Sequence, residues 1–312
     1  MIIGIDTSCY TTSLALVTSE GNILLDSRSL LEVASGGRGL RQSEALFQHL
    51  QNLPLLLATD RWAPKQPPNL DAVCASVTPR PAPDSYLPVF RAGASFGQTL
   101  AGLYGIPFIS TSHQEGHIRA GLAGNPELKG DFLAWHISGG TTELLLVRPD
   151  HPGFTIQKVG GSSDLHVGQF IDRIGVALGT GFPAGPELER MAERTNPEIH
   201  LPVAVDGLSL SFSGPASAAE RALRSGTGAS LAYAVLECIG RSLFMVTRRA
   251  AEIYGVNQVL AVGGVSANQM IRTYLTDAGT REGLNFYFGS RELSSDNAVG
   301  AALIGRDFLS GN

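Results

Sequence analysis

A pattern that occurs twice constrains this chain most. Ile2-Ile3-Gly4-Ile5-Asp6 reads as a buried strand ending in a carboxylate, Thr7 to Thr12 as a polar turn, and Ser13-Leu14-Ala15-Leu16-Val17 as the returning strand. Glu20-Gly21-Asn22 then turns into a third strand, Ile23-Leu24-Leu25. Roughly 130 residues later the order repeats. Phe132 to Ile137 is a strand, Ser138-Gly139-Gly140-Thr141-Thr142 a turn, Glu143 to Val147 the return, and Phe154-Thr155-Ile156-Gln157 the third strand. Helices and strands alternate after each opening. The first half shows a glycine-rich stretch at 35–39, a helix over 41–57, a loop at 64–68, a buried strand over 71–77, a helix over 90–104 and a strand over 107–109. The second shows a long amphipathic helix over 229–254, the strand Val259 to Val262, and Gly263-Gly264-Val265-Ser266-Ala267-Asn268 leading into a helix. An internal duplication follows, each half a mixed sheet in an α/β arrangement.

Both repeated turns are rich in Gly, Ser and Thr. Such turns expose backbone N–H groups and hydroxyls that hold phosphates, and a pair of them at matching places suits one phosphorylated ligand. This pattern is similar to that of actin, the Hsp70 chaperones and the sugar kinases (ribonuclease H-like lobes around a nucleotide cleft). Gly263-Gly264 at a strand end, with Ser266 and Asn268 behind, suits a nucleoside lying over the backbone.

His113-Gln114-Glu115-Gly116-His117 carries the other chemistry. Histidines four apart project from one face of a helix, close enough to share a divalent cation. Ser110, Thr111 and Ser112 are candidate caps, Gly116 removes a side chain between the rings, and Glu115 offers an outer carboxylate. A zinc protease reads H-E-x-x-H; here the glutamate stands at the third position, about 200° round the helix from the first histidine. Asp296, before the terminal helix, is read either as that helix's cap or as an oxygen ligand completing a two-His, one-Asp set.

The formal charge of −5 argues against autonomous, non-specific nucleic-acid binding, which needs a basic footprint, and leaves open nucleic acid delivered by a partner or held by a local patch. Only 16% of residues are charged, which leaves neutral surface for a partner. Three scattered cysteines, Cys9, Cys74 and Cys238, imply no disulfide framework. No leader is expected, and no apolar run long enough to cross a bilayer, so a cytoplasmic protein is expected.

Taken together, Gly4 to Cys9, the HQEGH stretch, Ser138 to Thr141, Phe182-Pro183-Ala184-Gly185-Pro186, Ser211 to Gly214, Gly263 to Asn268 and Ser295-Asp296-Asn297 resemble one family. It is the catalytic subunit of tRNA threonylcarbamoyladenosine synthase, formerly the glycoprotease or O-sialoglycoprotein endopeptidase family. The resemblance implies that His113, His117 and Asp296 bind iron or zinc. It implies that His136, Ile137, Ser138, Gly139 and Gly140 hold the phosphate of an acyl-adenylate, that Asp172 and Gly185 bind substrate, and that Glu189 and Asn268 contact ribose and base. It further implies an N-terminal lobe over 1–110 with part of the terminal helix (297–312), and a second lobe over 111–296 carrying the metal and nucleotide positions. The partners implied are an adenine nucleotide, tRNA through a partner protein, and a second copy or related subunit, with no membrane.

Several positions depart from the family pattern. Tyr10, Thr11 and Thr12 stand where Asp-Glu-Thr is usual, so the acidic pair is absent and no catalytic acid or base is assigned. Pro79-Arg80-Pro81 replaces Gly-Pro-Gly, Thr141 replaces a histidine, and Pro215-Ala216 replaces the stretch with a lysine. The expectation is a metal-dependent, nucleotide-binding threonylcarbamoyl transferase. The alternatives are a catalytically weakened paralogue acting as regulator or scaffold and, more remotely, a metallopeptidase.

Overall fold

The computed structural model describes residues 1–8, 10–33, 40–57, 69–150, 153–193, 199–225 and 228–311. Cys9 and the expected loops at 35–39 and 64–68 lie outside them. Contacts divide the chain into two units: 1–123 with 149–155 and 295–312, and 124–148 with 156–294. The expected boundary at 110 therefore differs from the division observed. Residues 111–123 and 295–296, which include the expected metal ligands, belong with the first unit because their helix packs on the terminal one.

In the first unit the strands are β1 (Ile2–Ser8), β2 (Thr11–Val17), β3 (Ile23–Leu30), β4 (Ala72–Thr78) and β5 (Phe108–Ser112), in the order β3-β2-β1-β4-β5. The third strand runs five residues beyond the sequence expectation, because β2 pairs with it as far as Leu30. β1 and β2 are antiparallel, whereas β4 and β5 run parallel to β1. The helices are α1 (Gln42–Leu57), α2 (Phe90–Tyr104) and α3 (His113–Ala123).

In the second unit β6 (Phe132–Ile137), β7 (Thr142–Asp150), β8 (Gly153–Ser162), β9 (Ala204–Asp206), β10 (Ser209–Ser211), β11 (Gln258–Val262) and β12 (Asn285–Phe288) form the order β12-β11-β6-β7-β8-β10-β9. The run β8-β7-β6-β11-β12 reproduces the first sheet's order, so the duplication holds at the level of topology. Its helices are α4 (Val167–Ala177), α5 (Gly185–Ala192), α6 (Ser213–Ala222), α7 (Gly228–Tyr254), α8 (Gln269–Glu282) and α9 (Arg291–Ser294), while α10 (Val299–Ser310) returns to the first unit.

α7 corrects one expectation: by length and composition it is apolar enough to cross a membrane. Its apolar window is 67% buried, and Leu231, Val235, Ile239 and Val246 join the second unit's core, so it is a core helix here. The buried Trp135 N–H donates to Thr247 Oγ1 of α7 at 2.7 Å, satisfying a donor that burial would otherwise penalise.

Strand alternation in β1 prepares the site. Ile3, Ile5 and Thr7 face α2, where Thr7 Oγ1 donates to the Val89 carbonyl at 2.9 Å. Ile2, Gly4, Asp6 and Ser8 face the other way. A methyl on Gly4 would sit 2.2 Å from the Ala298 carbonyl oxygen, so only glycine lets α10 lie against the strand.

Candidate metal centre and nucleotide positions

α3 begins at His113, directly after β5. Ser110 and Thr111 are strand residues, not caps; Ser112 alone caps the helix. Its Oγ accepts from the Glu115 N–H at 3.2 Å, and Glu115 Oε2 accepts from the Ser112 N–H at 2.8 Å, a reciprocal capping box. Glu115 also accepts from the hydroxyls of Ser112 (2.7 Å) and Thr111 (3.2 Å). The outer-carboxylate role read for Glu115 is thus corrected: its oxygen is held at the helix start. Glu115→Ala is expected to cost about 1 kcal/mol or more of stability by denaturant unfolding, with metal binding unchanged.

With their start fixed, His113 and His117 stack one turn apart, ring centres 4.6 Å apart and nearly perpendicular. Asp296 reaches them from the segment before α10. Its Oδ1 lies 3.2 Å from His117 Nε2 and 3.6 Å from His113 Nε2, and all three ligand atoms lie within 4.8 Å of one another. Asp296 is not the cap of α10. The N-cap position is Ala298, and the residue before it meets the first helical N–H groups: Asn297 Oδ1 accepts from those of Val299 (3.0 Å) and Gly300 (3.4 Å).

Two residues not assigned from sequence orient these ligands. His113 Nδ1 is 2.9 Å from Asp6 Oδ2, leaving Nε2 directed at Asp296. The Ser8 hydroxyl donates to Asp296 Oδ2 at 2.8 Å. The available signal was a strand ending in a carboxylate with a serine two residues on, on the same face. Burial alone would lower the His113 pKa, but the Asp6 carboxylate, by charge and hydrogen bond, and Asp296 push it up to about 9. Burial would raise Asp296; its hydrogen bond with His117, the charges of both imidazoles and the Ser8 hydroxyl instead hold it well below the usual carboxylate range.

The donor set fits a divalent transition metal. Ligands about 2.1 Å from a tetrahedral ion stand about 3.4 Å from one another, bracketed by the two carboxylate–imidazole distances here. Two imidazoles and a carboxylate suit iron or zinc and leave a position for a substrate oxygen.

The departures beside the site differ in kind. Tyr10 sits half-exposed in the β1–β2 turn, whereas Thr11 is buried within β2 and paired with Ser8 and Leu30. Tyr10→Asp is expected to leave stability nearly unchanged. Thr11→Glu should cost about 3 kcal/mol by burying a charge, as measured by denaturant unfolding.

In the second unit the expected positions 136–140 and Asn268 lie at or follow the carboxyl ends of β6 and β11, which pair in parallel through Val262 and His136. His136 and Ile137 are buried strand residues, and the Ile137 side chain belongs to the core, so this part of the stretch offers ligand no side chain from Ile137. The turn beyond is open: positions where a Cβ would stand on Gly139 and Gly140 have nothing within 4 Å. The start of α4 packs on this turn, its Val167 N–H donating to Thr142 Oγ1 at 2.9 Å. Asp172, on α4, accepts from the Ala184 N–H at 2.8 Å beside Gly185; burial pushes its carboxyl up despite that bond. Glu189 Oε1 accepts from the Gln269 N–H at 2.5 Å, and Asn268 Oδ1 from the Ile271 N–H at 3.0 Å. Asn268 is thus the N-cap of α8, and Glu189 meets the helix's first N–H.

The fold is a duplicated, actin-like one, with a His-His-Asp cluster in its first unit. Solved structures agree on the fold. HypF in a phosphate- and nucleotide-bound form matches with TM-score 0.62 at 13% identity, over 100% of this chain but 47% of that one. A ROK-family glucokinase from Streptomyces griseus matches with TM-score 0.52 at 12% identity, over 96% and 97% of the two chains. The family model of tRNA N6-adenosine threonylcarbamoyltransferase matches residues 44–303, and the chain belongs to that family of transferases. A protein of that name from Kosmotoga olearia is 31% identical over 97% of this chain and 92% of its own length.

Proposed function

We propose that this chain transfers a threonylcarbamoyl group from its adenylate to the exocyclic amine of a tRNA adenosine, with one iron or zinc ion at His113, His117 and Asp296. The convergence of two imidazoles and a distant carboxylate, in a chain of this family, carries the reading. When bound, the ion supplies Lewis-acid polarisation of a carbamoyl or phosphate oxygen. Asp6 and Ser8 orient the ligands. The open turn at 138–140, with Asp172, Gly185, Glu189 and Asn268, holds the adenylate. The chain's negative charge favours tRNA docking through a partner protein. The relative's transferase name supports this reading over a scaffold. Against the peptidase reading, the histidine motif's own carboxylate, Glu115, is engaged through Oε2 in the helix cap.

The test is an assay with bicarbonate, threonine, ATP, a partner synthase and tRNA, read by mass spectrometry of the nucleosides. Threonylcarbamoyladenosine should form with the wild type and vanish with His117→Ala. No product from a wild type that binds metal and nucleotide overturns the transfer and leaves the scaffold.

A further inference from the structure

The loop after β11 lies over a tight contact: a methyl on Gly263 would stand 2.4 Å from the Ile137 carbonyl oxygen, and φ there is +92°. The chain then makes a short turn over 264–267 and enters α8 at Asn268. One turn into α8, Arg272 reaches back. Its Nε donates to the Ser266 carbonyl at 2.5 Å and its Nη2 to the Gly289 carbonyl at 2.6 Å. The guanidinium also lies over the Phe288 ring, 5.1 Å from its centre. Gly289 follows β12, and Ser266 belongs to the loop after the neighbouring parallel strand β11. A single planar cation thus ties together two loops at the carboxyl edge of the sheet, where ligands of such folds bind.

We infer that Arg272 is a positioning residue for the adenine nucleotide: it sets the 263–268 loop, and with it Asn268, in the binding geometry. This rests on the nucleotide reading proposed above. Two divergent carbonyls require the fork of a guanidinium; a lysine's single ammonium reaches one of them. Loss of one bond makes the loop adaptable, and the nucleotide then has to order it on binding.

The experiment compares the wild type, Arg272→Lys, Arg272→Met and the exposed Arg281→Lys on the same helix. Binding of ATP and AMP is measured by titration calorimetry well below each protein's melting temperature. Arg272→Lys is expected to bind at least about tenfold more weakly, while Arg281→Lys matches the wild type. A merely structural role would lower the melting temperature and leave the affinity of the folded protein alone. Should Arg272→Met fail to fold, Arg272→Lys carries the comparison. Wild-type affinity in folded Arg272→Lys overturns this inference alone. No nucleotide binding by the wild type overturns the nucleotide reading and this inference with it.

Discussion

His117→Ala is expected to lose its metal: purified protein should carry almost none, against about one iron or zinc per wild-type chain. Removing an outer partner of a metal ligand typically weakens binding about 10–100-fold. His117 is one of three donors that converge among the described residues, so its loss should exceed 100-fold, read by competition with a chromophoric chelator. Asp6→Asn provides the scale. It keeps the shape beside His113 and removes the charge, so it should fall inside the outer-partner range. Elemental analysis and circular dichroism together separate loss of metal from loss of fold. Equal metal content in wild type and His117→Ala would end the metal reading.

Gly300→Ala should be among the most destabilising single substitutions. Its methyl would lie 1.8 Å from the Gly116 carbonyl oxygen, backbone against backbone, with no flexible side chain to yield. Forced displacement of α10 from α3 should cost about 3 kcal/mol or more in denaturant unfolding. Since Asp296 precedes α10, metal affinity should fall with it. The control is Gly116→Ala. Its methyl would meet only Ala301 N at 3.8 Å and Ser76 Oγ at 4.0 Å, ordinary contacts, so the change should stay under about 1 kcal/mol. The close approach of α10 to α3 thus depends on Gly300 rather than on the glycine inside the histidine motif. Wild-type stability in Gly300→Ala would refute this packing.

Periodicity explains what was legible. The strand-turn-strand order opening at β1 and its recurrence at Phe132 announced two sheets of one design, because strand patterns are local and survive duplication. The His113–His117 spacing likewise reports a helical face, a property of a single turn. Glu115 was misread because its carboxylate answers to Ser112, three residues back, and a capping box and an outer metal carboxylate look alike in one dimension. The reach of Arg272 across two loops carries no local mark at all.

What the sequence alone determined is which groups are available: two imidazoles on one turn, a strand-end carboxylate, and glycine-rich turns in duplicate. The tertiary structure decided which of them meet. Asp6 and Asp296 stand far apart along the chain and come to the same histidine pair only because Gly4 and Gly300 let one helix lie against both β1 and α3. Side-chain chemistry is inherited residue by residue, whereas convergence depends on close backbone approach, which no single segment encodes.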